Sequence, residues 1–351
     1  MHLPFKTIIL SLLEIHRIVM SANISLYPKS EAVRRMNVWG AERRPFIFIV
    51  DYKQESSFVE LVENVDPNLC LYDFNGVTNA QGMNCEKRTE QVYWKTYPEN
   101  EESYAKAFDV VRRNILAGNS FLANLTRSTP VETNLSLKEI FFRSKALYRL
   151  WVKNRFVCFS PEIFVRIKQG NIYAYPMKGT IDATLPDARR RLTEDVKETA
   201  EHATIVDLLR NDLSMHASEV KVCRYRYFDR LQTNKGAIYQ TSSEIGGVLP
   251  SDYRERLGNI LFDMLPAGSI TGAPKPKTTE IIEEAEGYDR GFYTGVAGYF
   301  DGDNLDSCVL IRFLEQNAGG FSFKAGGGIT FQSDAHSEYE EVIQKIYVPI
   351  Y

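Results

Sequence analysis

The chain has 351 residues, 44% hydrophobic and 25% charged, with a formal net charge of −3. It is long enough to bury a large core in one or two domains, and its slight acidity argues against a nucleic-acid partner. No stretch reaches the roughly 18 consecutive apolar residues of a membrane span, so none is expected.

Cys70, Cys85, Cys158, Cys223 and Cys308 are odd in number and scattered, with no CxxC pair. They read as reduced thiols, which implies a cytoplasmic protein. The five histidines form no HExxH or comparable spacing, which argues against a zinc site. Near the N-terminus, Ile8 to Leu13 follow Lys6 faintly in the manner of a signal peptide, but Glu14, His16 and Arg17 interrupt the run. Two readings stand for residues 1–20: a native N-terminus, or an extension upstream of a start at Met20.

In chain order, Arg44 to Asp51 is a dense β-branched and aromatic run that predicts a buried strand. Phe58 to Val65 reads as a short helix. Cys70 to Phe74 reads as a strand closed by the Asn75-Gly76 turn, with a polar loop after it. Tyr93 to Tyr97 reads as a strand. A helix over Tyr104 to Leu116 follows, carrying Ala107, Val110, Val111 and Leu116 at helical spacing and stopping at Gly118. Phe121 to Thr126 reads as a strand, and Leu137 to Lys145 as a helix opened by Ser136. Phe156 to Phe159 and Ile163 to Ile167 read as strands joined through Ser160-Pro161-Glu162.

Pro186 to Asp212 is mostly helical in pattern. Val220 to Tyr227 and Ala237 to Ile245 read as strands, Tyr253 to Met264 as a helix, and Lys277 to Glu286 as another. Tyr293 to Phe300, Ser307 to Glu315 and Phe321 to Gly326 read as strands, and Ser337 to Ile346 as the last helix. Many strands with hairpin-length connections predict an α+β fold: large antiparallel β-sheets packed together and flanked by helices, not βαβ repeats.

Four features carry chemistry. Glu198 and Glu201 lie three apart in one helix, and Glu338 and Glu341 repeat that spacing in the last one, so each pair shares a helix face. Two such pairs suit a hard cation such as Mg²⁺; either pair alone more commonly marks a solvated helix face. The first helix runs on as HATIVDLLR, apolar on more than one side, and carboxylates on a buried helix need partners. Arg312, inside Val309 to Phe313, is a charge in an apolar run and needs one too: a substrate carboxylate held bidentately, or a buried Asp or Glu. The glycine clusters Gly268 to Lys275 and Gly326-Gly327-Gly328 match neither a Walker A loop nor a dinucleotide fingerprint. They read as close approaches of backbone to a ligand, or as tight turns. Lys178, in Ala174-Tyr175-Pro176-Met177-Lys178-Gly179-Thr180, follows a short apolar, aromatic segment and reads as a strand-end lysine or a nucleophile.

The segments SPEIFVRI, YPMKGTI, EHATIVDLLRNDL, Ser243 to Leu249, LPAGSITGAPK, RGFYTGVAGYF, VLIRF, AGGGI and SEYEEVIQK, in this order over roughly residues 104–347, resemble the chorismate-utilising enzymes. Within that family the chain is similar to aminodeoxychorismate synthase component I. The resemblance implies a short N-terminal region over 21–100 packed on a chorismate-binding catalytic domain over 101–351. It puts Mg²⁺ on Glu201 and Glu341, with Glu198 and Glu338 as second carboxylates. Arg312 and Tyr293 fall where the enolpyruvyl carboxylate is held, Gly179, Thr180, Gly326 and Lys345 on further substrate contacts, and Glu162 on the general acid.

The residue before Gly179-Thr180 separates the members. Anthranilate synthases usually carry alanine there and aminodeoxychorismate synthases lysine, so Lys178 implies amination of chorismate at C4 toward 4-aminobenzoate and folate. The water-adding members carry a lysine base where this chain has Leu122. Gln240 stands where many relatives have histidine. The chain shows no glutaminase signature, so ammonia is expected from a glutamine amidotransferase subunit. Anthranilate synthase component I and a non-catalytic chorismate-binding homologue are the alternatives.

Overall fold

The computed structural model describes residues 23–84, 90–233 and 236–349. The two readings of residues 1–20 lie outside that range, as does Cys85. The architecture is α+β, as the strand pattern predicts: two nine-stranded antiparallel sheets stacked face to face, with helices on both outer faces. Among the described residues no helix is long and apolar enough to cross a membrane.

The first sheet runs Met177–Asp182, Gly236–Val248, Asn171–Ala174, Ile163–Lys168, Leu305–Val309, Val296–Phe300, Phe46–Val50, Ser57–Leu61, with Ser218–Thr233 also pairing to Gly236–Val248. The second runs Gly272–Ala273, Leu122–Thr133, Gly320–Ile329, Phe313–Asn317, Phe156–Ser160, Tyr148–Val152, Cys70–Phe74, Val77–Thr78, with Trp94–Thr96 on Leu122–Thr133. Strands before residue 100 are thus woven into both sheets.

The Phe46–Val50 strand shows why its sequence is apolar without alternation. Phe46, Phe48 and Val50 pack outward under the helices with Ala32 and Met36, while Ile47 and Ile49 pack inward against the second sheet. Both faces are covered, so both side-chain registers are apolar. The second sheet repeats the division: Val157 and Phe159 face helices, Phe156 and Cys158 face the first sheet.

Several segments differ from the sequence reading. Phe58 to Val65 is a strand, Ser57–Leu61, followed by a single 3₁₀ turn at Val62–Asn64; pairing with Phe46–Val50 overrides the helical spacing. The helix Lys29–Ala41 has no counterpart in that reading, because its many charged residues mask the small buried stripe Ala32, Met36 and Gly40. The Pro186 to Asp212 helix is two helices, Ala188–Glu194 and Val196–Ser214, meeting at Asp195, whose side chain accepts from Glu198 N and caps the second. The strand expected from Tyr293 begins at Val296. Ser307 to Glu315 is two strands, one in each sheet, so Arg312 lies at a crossing and not within a strand. Gly326 to Gly328 form no turn; they continue the Gly320–Ile329 strand opposite Thr126, Leu125 and Asn124.

Candidate active site

Two neighbouring chain crossings set the first groups in place. The chain leaves the second sheet after Ser160 and enters the first at Ile163; it returns between Val309 and Phe313. The crossings run side by side: Val309 N donates to Glu162 O (3.1 Å) and Phe159 N to Arg312 O (3.2 Å). Glu162 and Arg312 therefore meet where the two sheets part. Arg312 has φ 55°, a left-handed conformation that persists in a non-glycine residue only where its surroundings over-determine it. Its guanidinium lies 5.5 Å from the centre of the Tyr347 ring.

The cleft at this point has a volume of about 750 Å³, larger than the cavities of about 580 and 550 Å³ elsewhere on the molecule. Glu162, Lys178, Gly179, Thr180, Glu198, Glu201, Tyr293, Arg312, Gly326, Glu338, Glu341 and Lys345 all line it. The twelve residues singled out from the sequence thus converge on one cleft, though they come from seven separate segments of chain.

Lys178 stands on the Met177–Asp182 strand, where pairing with Gly236–Val248 slips between Met177 and Thr180 and Gly179 takes φ +81°. Such a bulge re-aims side chains. Lys178 Nζ donates to Glu201 Oε2 at 2.6 Å. Burial alone would lower its pKa, but the charge and hydrogen bond of Glu201, with Glu198 and Glu341 behind, outweigh burial and raise it. The lysine is held as an ammonium in this state. Desolvation is present but does not by itself supply a free amine, because three carboxylates surround the same nitrogen. Lys178 also lies over Gly328, where a Cβ would come within 3.2 Å of both Nζ and Leu122 Cδ1. Leu122 is an apolar wall here, with nothing to activate water.

Burial raises the pKa of Glu162, against the opposing pull of the Ser269 hydrogen bond and of Arg312, Lys178 and Lys345. Ser269 Oγ donates to Glu162 Oε1 at 2.5 Å. The sequence reading took the Gly268 to Lys275 segment for its glycines and passed over this serine. A hydroxyl side chain among the glycines of LPAGSITGAPK was the available signal.

The four glutamates stand on two helices. Glu338 is buried, and Glu341 Oε1 accepts from Lys345 Nζ at 2.6 Å. Lys345 Nζ also donates to Gly326 O at 2.8 Å, tying helix to strand. A Cβ on Gly327 would come within 3.3 Å of Glu338 Oε2 and 3.6 Å of Glu341 Oε1; one on Gly179 would come within 3.1 Å of Glu198 Oε2. Glycine at these positions leaves the carboxylates room. Among the described residues no three carboxylate, thiol or imidazole side chains already converge as a metal cage. Lys178 and Lys345 each hold one of the carboxylates instead. The donor set is all hard oxygen, the chemistry that suits Mg²⁺.

Behind the cleft lies a polar network that the sequence reading did not find. Arg290 and Glu286 form a buried pair, with Nη2 to Oε1 at 2.6 Å and Nε to Oε2 at 2.8 Å, their side chains 2% and 1% exposed. Arg290 also donates to Ile270 O and Asn124 O, while Glu286 accepts from Thr126 N. One side chain thus ties the 268–271 turn to the Leu122–Thr133 strand. The i,i+4 spacing of Glu286 and Arg290 was its only trace in the sequence.

Residues 31–350 match the family model described as chorismate binding enzyme. The chain belongs to the chorismate binding enzyme family. An "Uncharacterized PabA-like protein" of Haemophilus influenzae is 46% identical over 318 residues, which cover 91% of this chain and 96% of that protein. Two chorismate enzymes are more distant. Anthranilate synthase component 1 of Spirochaeta aurantia is 31% identical across 70% of this chain and 53% of its own length. Aminodeoxychorismate synthase component 1 of Klebsiella aerogenes is 30% identical across 72% and 58%. The chain spans little more than half of either enzyme. Among solved structures, the menaquinone-specific isochorismate synthase of Escherichia coli shares the fold with a TM-score of 0.68 at 16% identity, covering 92% of this chain and 82% of that one. Anthranilate synthase component I of Streptococcus pneumoniae gives 0.61 at 26%, covering 73% and 59%. Membership places this chorismate binding enzyme among proteins that bind and convert chorismate.

Proposed function

We propose that this chorismate binding enzyme aminates chorismate at C4, as component I of an aminodeoxychorismate synthase supplied with ammonia by a glutamine amidotransferase subunit. The observation that carries the reading is Lys178, which projects into the cleft with Glu162, Arg312 and the four glutamates around it. Leu122, buried where the water-adding members of the family carry a lysine base, weighs against water addition.

In this reading Arg312 and Tyr293 hold the enolpyruvyl carboxylate. Glu201 and Glu341, supported by Glu198 and Glu338, would hold Mg²⁺, which supplies positive charge for the ring carboxylate when bound. A carboxylate accepts through both oxygens, so Glu201 can serve the Lys178 ammonium and a cation together. Lys178 becomes a nucleophile when its ammonium passes one proton to a water molecule of the cleft. It then attacks ring carbon C2 while Glu162 protonates the departing 4-hydroxyl. Ammonia attacks C4 and expels the lysine, leaving 4-amino-4-deoxychorismate with its enolpyruvyl group intact.

Incubation with chorismate, Mg²⁺ and ammonium is expected to give an aminated product that yields 4-aminobenzoate only after a lyase is added. Anthranilate fluorescence without a lyase would replace this reading with the anthranilate synthase alternative. Glutamine is expected to substitute for ammonium only when a glutaminase subunit is present.

Gly328 offers a finer test. Gly328→Ala places a methyl group 3.2 Å from Lys178 Nζ, a flexible chain end that can shift by a few tenths of an ångström. We expect a folded protein with unchanged KM for chorismate and kcat lowered on the order of 10- to 100-fold, since small misplacements of a reacting group cost that much. An unaltered kcat would show that Lys178 need not stay where it stands.

A further inference from the structure

The 264–275 loop is fixed more firmly than a surface connection requires. Lys275 Nζ donates to Asp212 Oδ2 (2.7 Å) and Met264 O (2.8 Å), Arg290 Nη1 to Ile270 O (3.0 Å), and Thr271 Oγ1 to Ala267 O (3.0 Å). Gly268 packs so closely on the Val196–Ser214 helix that a Cβ would come within 2.7 Å of Leu208 Cδ2. This scaffold presents Ser269 to the cleft, where its hydroxyl donates to Glu162 Oε1 at 2.5 Å.

We propose that Ser269 is a positioning residue that decides which oxygen of Glu162 delivers the acid proton. With Oε1 occupied by the serine hydroxyl, the proton is carried on Oε2 and leaves from there. The inference rests on the reading of Glu162 as the acid given above. In the step, the Lys178 nitrogen bonds to C2, the ring double bonds shift toward C4, and the C4–O bond breaks. The departing oxygen takes the Oε2 proton and leaves as water. Glu162 is left as a carboxylate, and the Ser269 hydrogen bond, now charge-assisted, is roughly twice as strong as before. A donor that strengthens during proton transfer lowers the barrier and leaves ground-state binding unchanged.

The other groups facing Glu162 are Arg312, Lys178 and Lys345, with the Tyr293 phenol and the buried Cys308 thiol nearby. Replacing Ser269 alters none of them. Ser269→Ala is expected to lower kcat on the order of 10- to 100-fold, with KM for chorismate changed less than about twofold. The limb of the pH profile where the acid loses its proton should move to higher pH, because the carboxylate form has lost a donor. Ser269→Thr, which keeps the hydroxyl, should recover most of the rate.

The deciding comparison is Ser269→Ala made in a Glu162→Gln background, where it should cost less than about twofold more. An undiminished loss there, or an unmoved pH limb, would overturn the proposal. Where Glu162→Gln leaves too little rate to compare, infrared spectroscopy replaces it. The carboxyl C=O band of protonated Glu162, identified by its absence in Glu162→Gln, should rise in frequency in Ser269→Ala, and an unshifted band overturns the proposal. The assays follow chorismate loss and every product. Anthranilate as product would sink the proposed reaction while leaving the Ser269–Glu162 coupling readable.

Discussion

Lys178→Ala should abolish the proposed amination of chorismate, with a loss in kcat on the order of 10³-fold or more, because it removes the proposed nucleophile. Chorismate should still bind, since Arg312 and Tyr293 remain. The alanine also strips Glu201 of an ammonium 2.6 Å away, and Glu201 is nearly fully buried. Lost activity could then reflect a displaced carboxylate and not a missing nucleophile. Lys178→Arg separates the two. The guanidinium keeps a positive charge beside Glu201 but does not deprotonate at working pH, so it should be as inactive as alanine while preserving stability. Rapid turnover by either variant, measured by product chromatography, would contradict the covalent role.

The second large effect is on stability. Arg290→Met should destabilise the fold by about 3–5 kcal/mol, because it leaves the Glu286 carboxylate buried with its charge uncompensated. It also releases the Ile270 and Asn124 carbonyls, which hold the loop that carries Ser269. Adding Glu286→Gln to Arg290→Met should recover part of the loss by removing the charge. Chemical denaturation followed by circular dichroism checks both values. A single variant within about 1 kcal/mol of the parent would show that the pair is a minor contributor.

The outline of the fold was legible because its strands are buried on both faces. Phe46 to Val50 advertises two covered faces by the absence of alternation, and the helices carry plain caps, such as Ser136 with Glu139. Legibility failed where tertiary pairing overrides local pattern. Ser57–Leu61 has helical spacing and lies as an edge strand, and the Ser307 to Glu315 run hides a change of sheet. That hidden crossing puts Arg312 beside Glu162, and no local property of Val309 to Phe313 predicts it.

The candidate site divides similarly. Its twelve residues were reachable from motif resemblance and they line one cleft. Their partners were not reachable, because hydrogen bonds between segments more than a hundred residues apart, as between Ser269 and Glu162, leave no periodic trace. Nor was the charge state of Lys178. Spacing shows that carboxylates are present on two helices, but only their distances from one nitrogen decide that they outweigh burial.

The most direct test is the mass of the protein mixed with chorismate and Mg²⁺ in ammonia-free buffer. In the proposed step the bond between Lys178 and C2 forms with loss of one water, and without ammonia only water returning to C4 can displace the lysine, so the mixture is quenched in acid before its mass is read. A chain heavier by one chorismate less one water, with the added mass mapped by peptide digestion to Lys178 and absent in Lys178→Arg, is the predicted result. A protein that turns chorismate over when ammonium is restored, yet never carries that mass on Lys178, would contradict the account.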